Sequence, residues 1–482
     1  MDEQLKKQSF VGFAWRFLQN SSAKIISFVI QIVLARILLP DDYGLISLTT
    51  VFIAISNVFV QSGLTSGLVQ KKEISELDKS SMFYISIGLG LILYLILFLV
   101  SPLISSFYKT PEFTNVLRVH SLTIIFSSIS SVSIALIQRE LKFKKTFLVG
   151  IIGHLFQGAV GIFLALKGYG VWALVFGILS YNLVYSVGCC ILCKWLPKFT
   201  FSFKSAKGLM QFSINVLFSN LAVTIFSSIK SLMIGKVYSK EALGYYDRGN
   251  QFPNAMMSGF DGAFTSVLYS SLSRIQDDKE KLLNYLRKSI KTSIFITTPM
   301  MFGLAAVSKP LVLLLLTEKW ISCVPFLMVC CGLCLFWPLS AKTHALNALG
   351  KSRITFFTNL ATIIINVLIM MVLMRFDILI FAVGLFIGDF LCSFIPVFMA
   401  KKYLRYKVSD QIFDVFPTFF AGGIMFAFIY KSSVLLNIHP ALELLILIPV
   451  GVILYSLLSL VLNLDGAKTI ISFTKNALQK HN

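Results

Sequence analysis

Apolar residues fill this chain in runs of about twenty, separated by short polar connections. The runs 85–100 and 442–462 show this most plainly, and neither alternates every second residue as a membrane β-strand would. An α-helix needs roughly 20 residues to cross about 30 Å of hydrocarbon. With Gly, Pro and charge as punctuation, the pattern therefore predicts about fourteen helical spans. They fall at 10–39, 43–69, 82–107, 117–137, 147–166, 171–193, 209–237, 242–272, 290–316, 321–349, 354–374, 378–400, 413–430 and 441–462. The expected fold is an all-α polytopic membrane protein.

Polar positions inside the spans are not scattered. Residues three or four apart share a helix face, and the first span carries Arg16, Asn20, Lys24, Ser27 and Gln31 at such steps. The second adds Ser56, Asn57, Gln61 and Thr65, and the seventh Asn215, Ser219, Ser227 and Lys230. The eighth aligns Asp247, Asn250, Gln251, Asn254, Ser258, Asp261 and Thr265. A shift of 200 residues lays Asn20 on Asn220, Ile25 on Ile225, Ser27 on Ser227, Gly44 on Gly244, Thr65 on Thr265, Ser66 on Ser266 and Leu68 on Leu268. One offset held over two spans predicts two pseudo-symmetric six-helix lobes of like topology, plus two C-terminal helices, with a site between the halves. The expected divisions are an N-lobe over 1–193, a cytoplasmic linker over 194–208, a C-lobe over 209–400, and helices 13 and 14 with a cytoplasmic tail over 401–482. The eighth span is too polar to stand on hydropathy and is identified by its place in the repeat; Pro253, Gly259 and Gly262 are expected to bend or loosen it.

Composition sharpens this picture. The 482 residues are 56% hydrophobic and 13% charged, with a mean hydropathy of +0.80, which no water-facing surface matches. The formal net charge of +21 raises nucleic acid as a partner, but the excess sits in short connections. With the N-terminus inside, about 28 Lys and Arg fall on the inner side and about 10 on the outer. That asymmetry places both termini in the cytoplasm, makes anionic inner-leaflet lipid the partner of the loops, and leaves no role for nucleic acid. The opening MDEQLKKQ leads into the first span without a short apolar region and cleavage site, so that span is expected to stay in the mature protein.

The eight cysteines fall in or beside apolar spans, among them the clusters Cys189, Cys190, Cys193 and Cys330, Cys331, Cys334. No His or carboxylate lies nearby in sequence to complete a zinc site, so they read as small apolar packing groups. There is no phosphate-binding loop of the form GxxxxGK[ST], no catalytic constellation, and no cofactor or metal is expected.

Charges within spans carry the chemistry. A fixed charge in hydrocarbon costs roughly 2.5–3.5 kcal/mol on insertion scales. Arg16 can snorkel to the inner interface, but Lys24 lies two turns further in. With Lys230 near the outer end of the seventh span and Lys342 in the tenth, they predict a cationic, water-filled cavity in which Asp247 and Asp261 are counter-charges. Such walls concentrate anions, and Arg forks and Lys point charges suit phosphate or pyrophosphate. The candidate substrate-binding residues are Arg16, Asn20, Lys24, Lys230, Asn254, Asp261 and Lys342. Arg36 and Arg248 rank second, each read first as an interfacial anchor. The coupling-ion candidates are Asp261, Asp389, His154 and His344, titratable groups within spans. Hydrogen-bonded packing between helices explains a lone His, or a single Asn, Ser or Gln, at least as well.

The stretches LARILLPDDYGLISL, SGLTSGLVQKKEIS, LIQRELKFKK, EALGYYDRGNQFPN and NALGKSRITFF follow in order over nearly the full chain. They resemble the polysaccharide transporter family of the multidrug/oligosaccharidyl-lipid/polysaccharide flippase superfamily, within it the lipopolysaccharide, colanic acid and teichuronic acid exporters of bacteria. The resemblance implies two six-helix lobes in a V plus two helices, in the bacterial inner (cytoplasmic) membrane. It implies transport of an undecaprenyl-pyrophosphate-linked oligosaccharide from the inner to the outer leaflet by alternating access, driven by ion gradients or membrane potential. The implied partners are that polyprenyl-pyrophosphate-linked oligosaccharide, membrane lipid and polysaccharide assembly enzymes. First-span cations line the cavity of related flippases, which fits Arg16 and Lys24. Two other readings compete. A multidrug or ion antiporter of the same superfamily would favour an acidic cavity, and a membrane-embedded glycosyltransferase or polymerase would need paired carboxylates or a large outer loop. The sequence also leaves open a scaffold without transport activity.

Overall fold

The computed structural model describes residues 24–61, 65–71, 73–140, 142–436 and 438–468. Every regular element among them is helical. The first half comprises α1 (24–37), α2 (Pro40–Gln61), α3 (Thr65–Gln70), α4 (Glu76–Tyr108), α5 (Glu112–His120), α6 (Leu122–Arg139), α7 (Phe143–Leu166), α8 (Val171–Cys193) and α9 (Phe203–Val237). There follow α10 (Lys240–Arg274), α11 (Lys279–Ala306), α12 (Ser308–Leu315), α13 (Val324–Leu335), α14 (Ala341–Ala348), α15 (Ser352–Leu373), α16 (Ile378–Cys392), α17 (Phe394–Leu404), α18 (Val408–Leu435) and α19 (Pro440–Val461). Short 3-10 turns at Glu318–Cys323 and Trp337–Ser340 flank α13.

Eleven segments among the described residues are long and apolar enough to cross a membrane, and twelve if α11 and α12, which meet at 67°, count as one. Two of the fourteen expected spans fall outside that number for different reasons. The first lies partly outside the described residues, and α1 is its remainder. The eighth is helical throughout as α10, but its polar positions keep it below the hydropathy of a span. Pro253 sits inside α10 without ending it.

The spans turn wide apolar faces outward. On α4, Leu91, Ile92, Leu95, Ile96, Leu99 and Leu103 are all exposed, an arrangement suited to acyl chains rather than water. Inward, small residues let helices approach. Ser127, Ser128, Ser130, Ser131 and Ser133 of α6 are buried, and a Cβ on Gly90 of α4 would stand 2.6 Å from Ser128 Oγ. Ser86 of α4 donates to the Ser128 carbonyl at 3.0 Å, so the close crossing also satisfies the hydroxyl.

Packing divides the chain into two compact units, one ending at Gly244 and one beginning at Tyr245. In the first, α9 packs along α2 and α4. The segment before it, expected as a linker between lobes, is bound along the start of α4. Trp195 Nε1 donates to Glu76 Oε2 at 2.9 Å, and the backbone N–H groups of Lys198 and Ser202 donate to Ser80 Oγ at 3.0 Å and Ser81 Oγ at 2.9 Å. Ser205 donates its hydroxyl to Asp78, which forms a capping box with Ser75 and an ion pair with Lys71 at 2.7 Å.

The other notable contact of this unit joins two positions that the sequence repeat superposes. A Cβ on Gly44 would run into the carbonyl oxygen of Lys240, and one on Gly244 into that of Pro40. Pro40 and Lys240 are themselves one repeat apart, so two equivalent helix starts meet reciprocally, backbone on backbone. Lys240 Nζ reinforces the contact, 3.4 Å from Asp41 and 3.6 Å from Glu112.

In the second unit, Leu282, Leu286, Ile290 and Ile294 of α11 form one core with Ala341, Ala345 and Ala348 of α14 and Ala400 and Leu404 of α17. A second core joins α18 and α19 through Met425, Ile429, Leu447 and Tyr455.

Candidate functional site

The tenth expected span is one apolar segment, Glu318–Ala348, in which the 3-10 turn Trp337–Ser340 interrupts the α-helix. Trp337 packs against Phe260 and Phe264 of α10, with ring centroids 5.7 and 5.4 Å apart. The short α14 then carries Ala341, Ala345 and Ala348 into the core, and Lys342 goes in beside them. It is 2% exposed and makes no hydrogen bond or ion pair among the described residues. A buried ammonium without a counter-charge is expensive. In a membrane protein it marks a place where an opposite charge belongs. His344, two residues on, is half-buried.

The other expected site residues fare differently. Arg16 and Asn20 lie outside the described residues, as does the side chain of Asp261, whose backbone is part of α10. Lys24 is exposed at the start of α1, Lys230 is half-buried on α9, and Asn254 is exposed on α10. Lys24 and Lys230 belong to the first unit, and Asn254 and Lys342 to the second. Part of the α1 stripe satisfies itself: Gln31 donates to Ser27 Oγ at 3.1 Å, and its carbonyl accepts from the Tyr43 hydroxyl at 3.4 Å. On α2, Asn57 Oδ1 is buried with no hydrogen-bond partner among the described residues.

Of the coupling-ion candidates, His154 has local partners. Its ring stacks on Tyr181 at 4.5 Å, and Nδ1 lies 3.0 Å from Gln157 Oε1. Asp389 gains a partner that the sequence did not suggest: Asn366 Nδ2 of the adjacent α15 donates to Asp389 Oδ1 at 2.6 Å. The signal available was a mid-span Asn on the neighbouring helix. Asn366 Oδ1 is buried and accepts no hydrogen bond among the described residues, so the pair presents a carboxylate beside an unsatisfied amide oxygen. Among the described residues no group of three or more His, Cys, Asp or Glu could hold a metal ion.

Arg248, read from sequence as an interfacial anchor, is instead buried on α10, where it donates to Gln251. Arg36 is exposed. Sequence reasoning missed an ionic network in the second unit. Arg287 of α11 grips Asp414 of α18 with both arms of its fork, Nε to Oδ2 at 2.7 Å and Nη2 to Oδ1 at 2.9 Å. Lys291 reaches Asp414 at 2.9 Å and Asp465 at 2.7 Å, and the Tyr406 hydroxyl also donates to Asp414. The Lys291 ammonium holds the Asp465 carboxyl below the usual carboxylate range.

Fold and site together define a multi-pass helical membrane protein with a cation buried in one of its spans that no counter-charge among the described residues meets. The chain belongs to the polysaccharide biosynthesis protein family, whose sequence profile matches residues 33–325. It is 25% identical over 344 residues to the succinoglycan biosynthesis transport protein ExoT of Rhizobium meliloti (strain 1021), covering 71% of this chain and 70% of that one. It is also 25% identical over 335 residues to the lipopolysaccharide biosynthesis protein WzxC of Escherichia coli (strain K12), covering 68% and 67%. Among solved structures, the lipid II flippase MurJ in an inward closed conformation matches with a TM-score of 0.73 at 19% identity, over 92% of this chain and 97% of that one. At that identity the likeness establishes the fold. The family read from the five sequence stretches is thus the family found.

Proposed function

We propose that this chain moves an undecaprenyl-pyrophosphate-linked oligosaccharide from the inner to the outer leaflet of the bacterial cytoplasmic membrane, for surface polysaccharide assembly. The observation that carries this reading is Lys342, buried within a span and lacking a counter-charge among the described residues. A pyrophosphate supplies that charge when it arrives, and the ammonium replaces part of the hydration the headgroup gives up. The candidate residues for contact with the sugars and pyrophosphate are Lys342, Lys24, Lys230 and Asn254, with Arg16, Asn20 and Asp261. The polyprenyl tail stays in lipid, and alternating access comes from movement of one repeat against the other. Relatives named for succinoglycan transport and lipopolysaccharide biosynthesis support this reading, as does the fold of a lipid II flippase. The Asp389–Asn366 pair is the proposed seat of the coupling ion, with Asp261, His154 and His344 as the other candidates. An antiporter for cationic cargo is disfavoured, because Lys342 repels such cargo.

The reading is tested in cells that build the polymer. Arg16→Ala and Lys24→Ala, each at wild-type protein levels, are expected to accumulate lipid-linked intermediates and to lower surface polysaccharide. Normal surface polymer with both substitutions would remove the first helix from the proposed path.

A further inference from the structure

The ionic network of the second unit borders a pocket that the transport reading does not use. On α11, Asn284, Arg287, Lys288 and Lys291 stand at steps of three and four, which puts them on one face. Opposite them, the helical turn 465–468 after α19 brings Asp465 and Lys468. These six residues line a pocket of about 380 Å³. Four cations line it against one carboxylate, Asp465, with a second, Asp414, behind Arg287 and Lys291. The pocket is therefore left with an excess of two positive charges. Asp414 fixes the Arg287 fork and the Lys291 ammonium in place before any ligand arrives, whereas Lys288 and Lys468 stand at the exposed rim.

The surroundings identify the kind of anion. On the last turns of α19, directly before the Asp465–Lys468 turn, Leu457, Leu460 and Val461 are 55%, 63% and 81% exposed. A cationic pocket at the end of an exposed apolar helix face presents charge to a headgroup and aliphatic surface to its acyl chains. Anionic headgroups collect at basic pockets between spans on the cytoplasmic side, the side to which the Lys and Arg distribution assigns this end of the unit. We propose that this pocket binds the phosphate of an anionic membrane phospholipid, fastening the turn after α19 to α11.

The full-length protein, purified in mild detergent, tests this by retention of phosphatidylglycerol against phosphatidylcholine through delipidation, read by native mass spectrometry. The wild type is expected to retain phosphatidylglycerol selectively. Lys288→Gln with Lys468→Gln should lower that retention about tenfold, the loss expected when charge-assisted contacts go, while Lys279→Gln, outside the pocket, should leave it unchanged. Both substituted lysines are exposed, so the thermal midpoint should hold; if the double variant fails to fold, Lys288→Gln alone and its rescue by Lys288→Arg make the same test. Equal retention of phosphatidylcholine, or undiminished phosphatidylglycerol in the variant, would overturn the proposal. Displacement of the lipid by millimolar inorganic phosphate would also overturn it, by assigning the pocket to a soluble phosphate compound.

Discussion

Lys342→Met is expected to slow translocation by roughly ten- to a hundredfold while leaving the thermal midpoint at or above that of the wild type. The two halves of this result have separate causes. A charge-assisted contact to a phosphate oxygen contributes about 1.5–3 kcal/mol, and every 1.4 kcal/mol is about a factor of ten. Met keeps most of the side-chain volume that the core around α14 has been packed to accept. It also removes an ammonium that is 2% exposed and has no partner among the described residues, so the folded protein loses a cost rather than a bond. Transport of a labelled lipid-linked oligosaccharide and thermal unfolding, measured on the same preparation, check both halves. A purely structural lysine would give the opposite pair: a lowered midpoint and transport that falls only with the amount of folded protein.

Gly44→Ala should leave little folded protein. The added methyl meets the carbonyl oxygen of Lys240, which is backbone at the start of α10 and cannot rotate aside as a side chain would. Overpacking a core costs typically about 1–3 kcal/mol, and a collision with backbone belongs at or above the top of that range. Parting the two helix starts also strains the contacts of Lys240 with Asp41 and Glu112. Gly244→Ala, facing the Pro40 carbonyl, should behave alike. Gly423 of α18 is the control: a methyl added there would meet nothing within 4 Å, so Gly423→Ala should be neutral or mildly stabilising. Size-exclusion profiles and thermal unfolding of the three variants decide it; a Gly44→Ala protein as stable as Gly423→Ala would mean that the two helix starts do not meet as described.

These two cases show what the sequence could and could not reveal. The equivalence of Gly44 and Gly244 was legible as an offset of 200 residues; that the two glycines face each other's partner carbonyls was not, because a repeat reports similarity and not contact. Lys342 stood out as a cation in an apolar span, yet its depth depends on Ala341, Ala345 and Ala348 being small enough to bring α14 against α11 and α17. Hydropathy located the spans because lipid imposes one length on all of them. It missed their ends, since helices continue past the hydrocarbon: α11 begins at Lys279, well before the expected start at 290. The same blindness hid the network around Asp414. Arg287 precedes the expected ninth span and Lys291 stands at its start, and a topological rule explains how many lysines and arginines gather on one side without saying which carboxylate each one meets. The Asn366–Asp389 pair was hidden for a related reason, as it depends on how α15 and α16 turn their faces to each other.

Among these readings, transfer of a pyrophosphate-linked sugar across the bilayer is the one on which the others depend. The most direct measurement is flipping in proteoliposomes: full-length protein, an undecaprenyl-pyrophosphate-linked oligosaccharide confined to one leaflet, and a membrane-impermeant glycosidase that reports its arrival in the other. The account predicts transfer well above that of protein-free vesicles, slowed roughly ten- to a hundredfold by Lys342→Met. Transfer no faster than in protein-free vesicles, or equally fast with Lys342→Met, would contradict it.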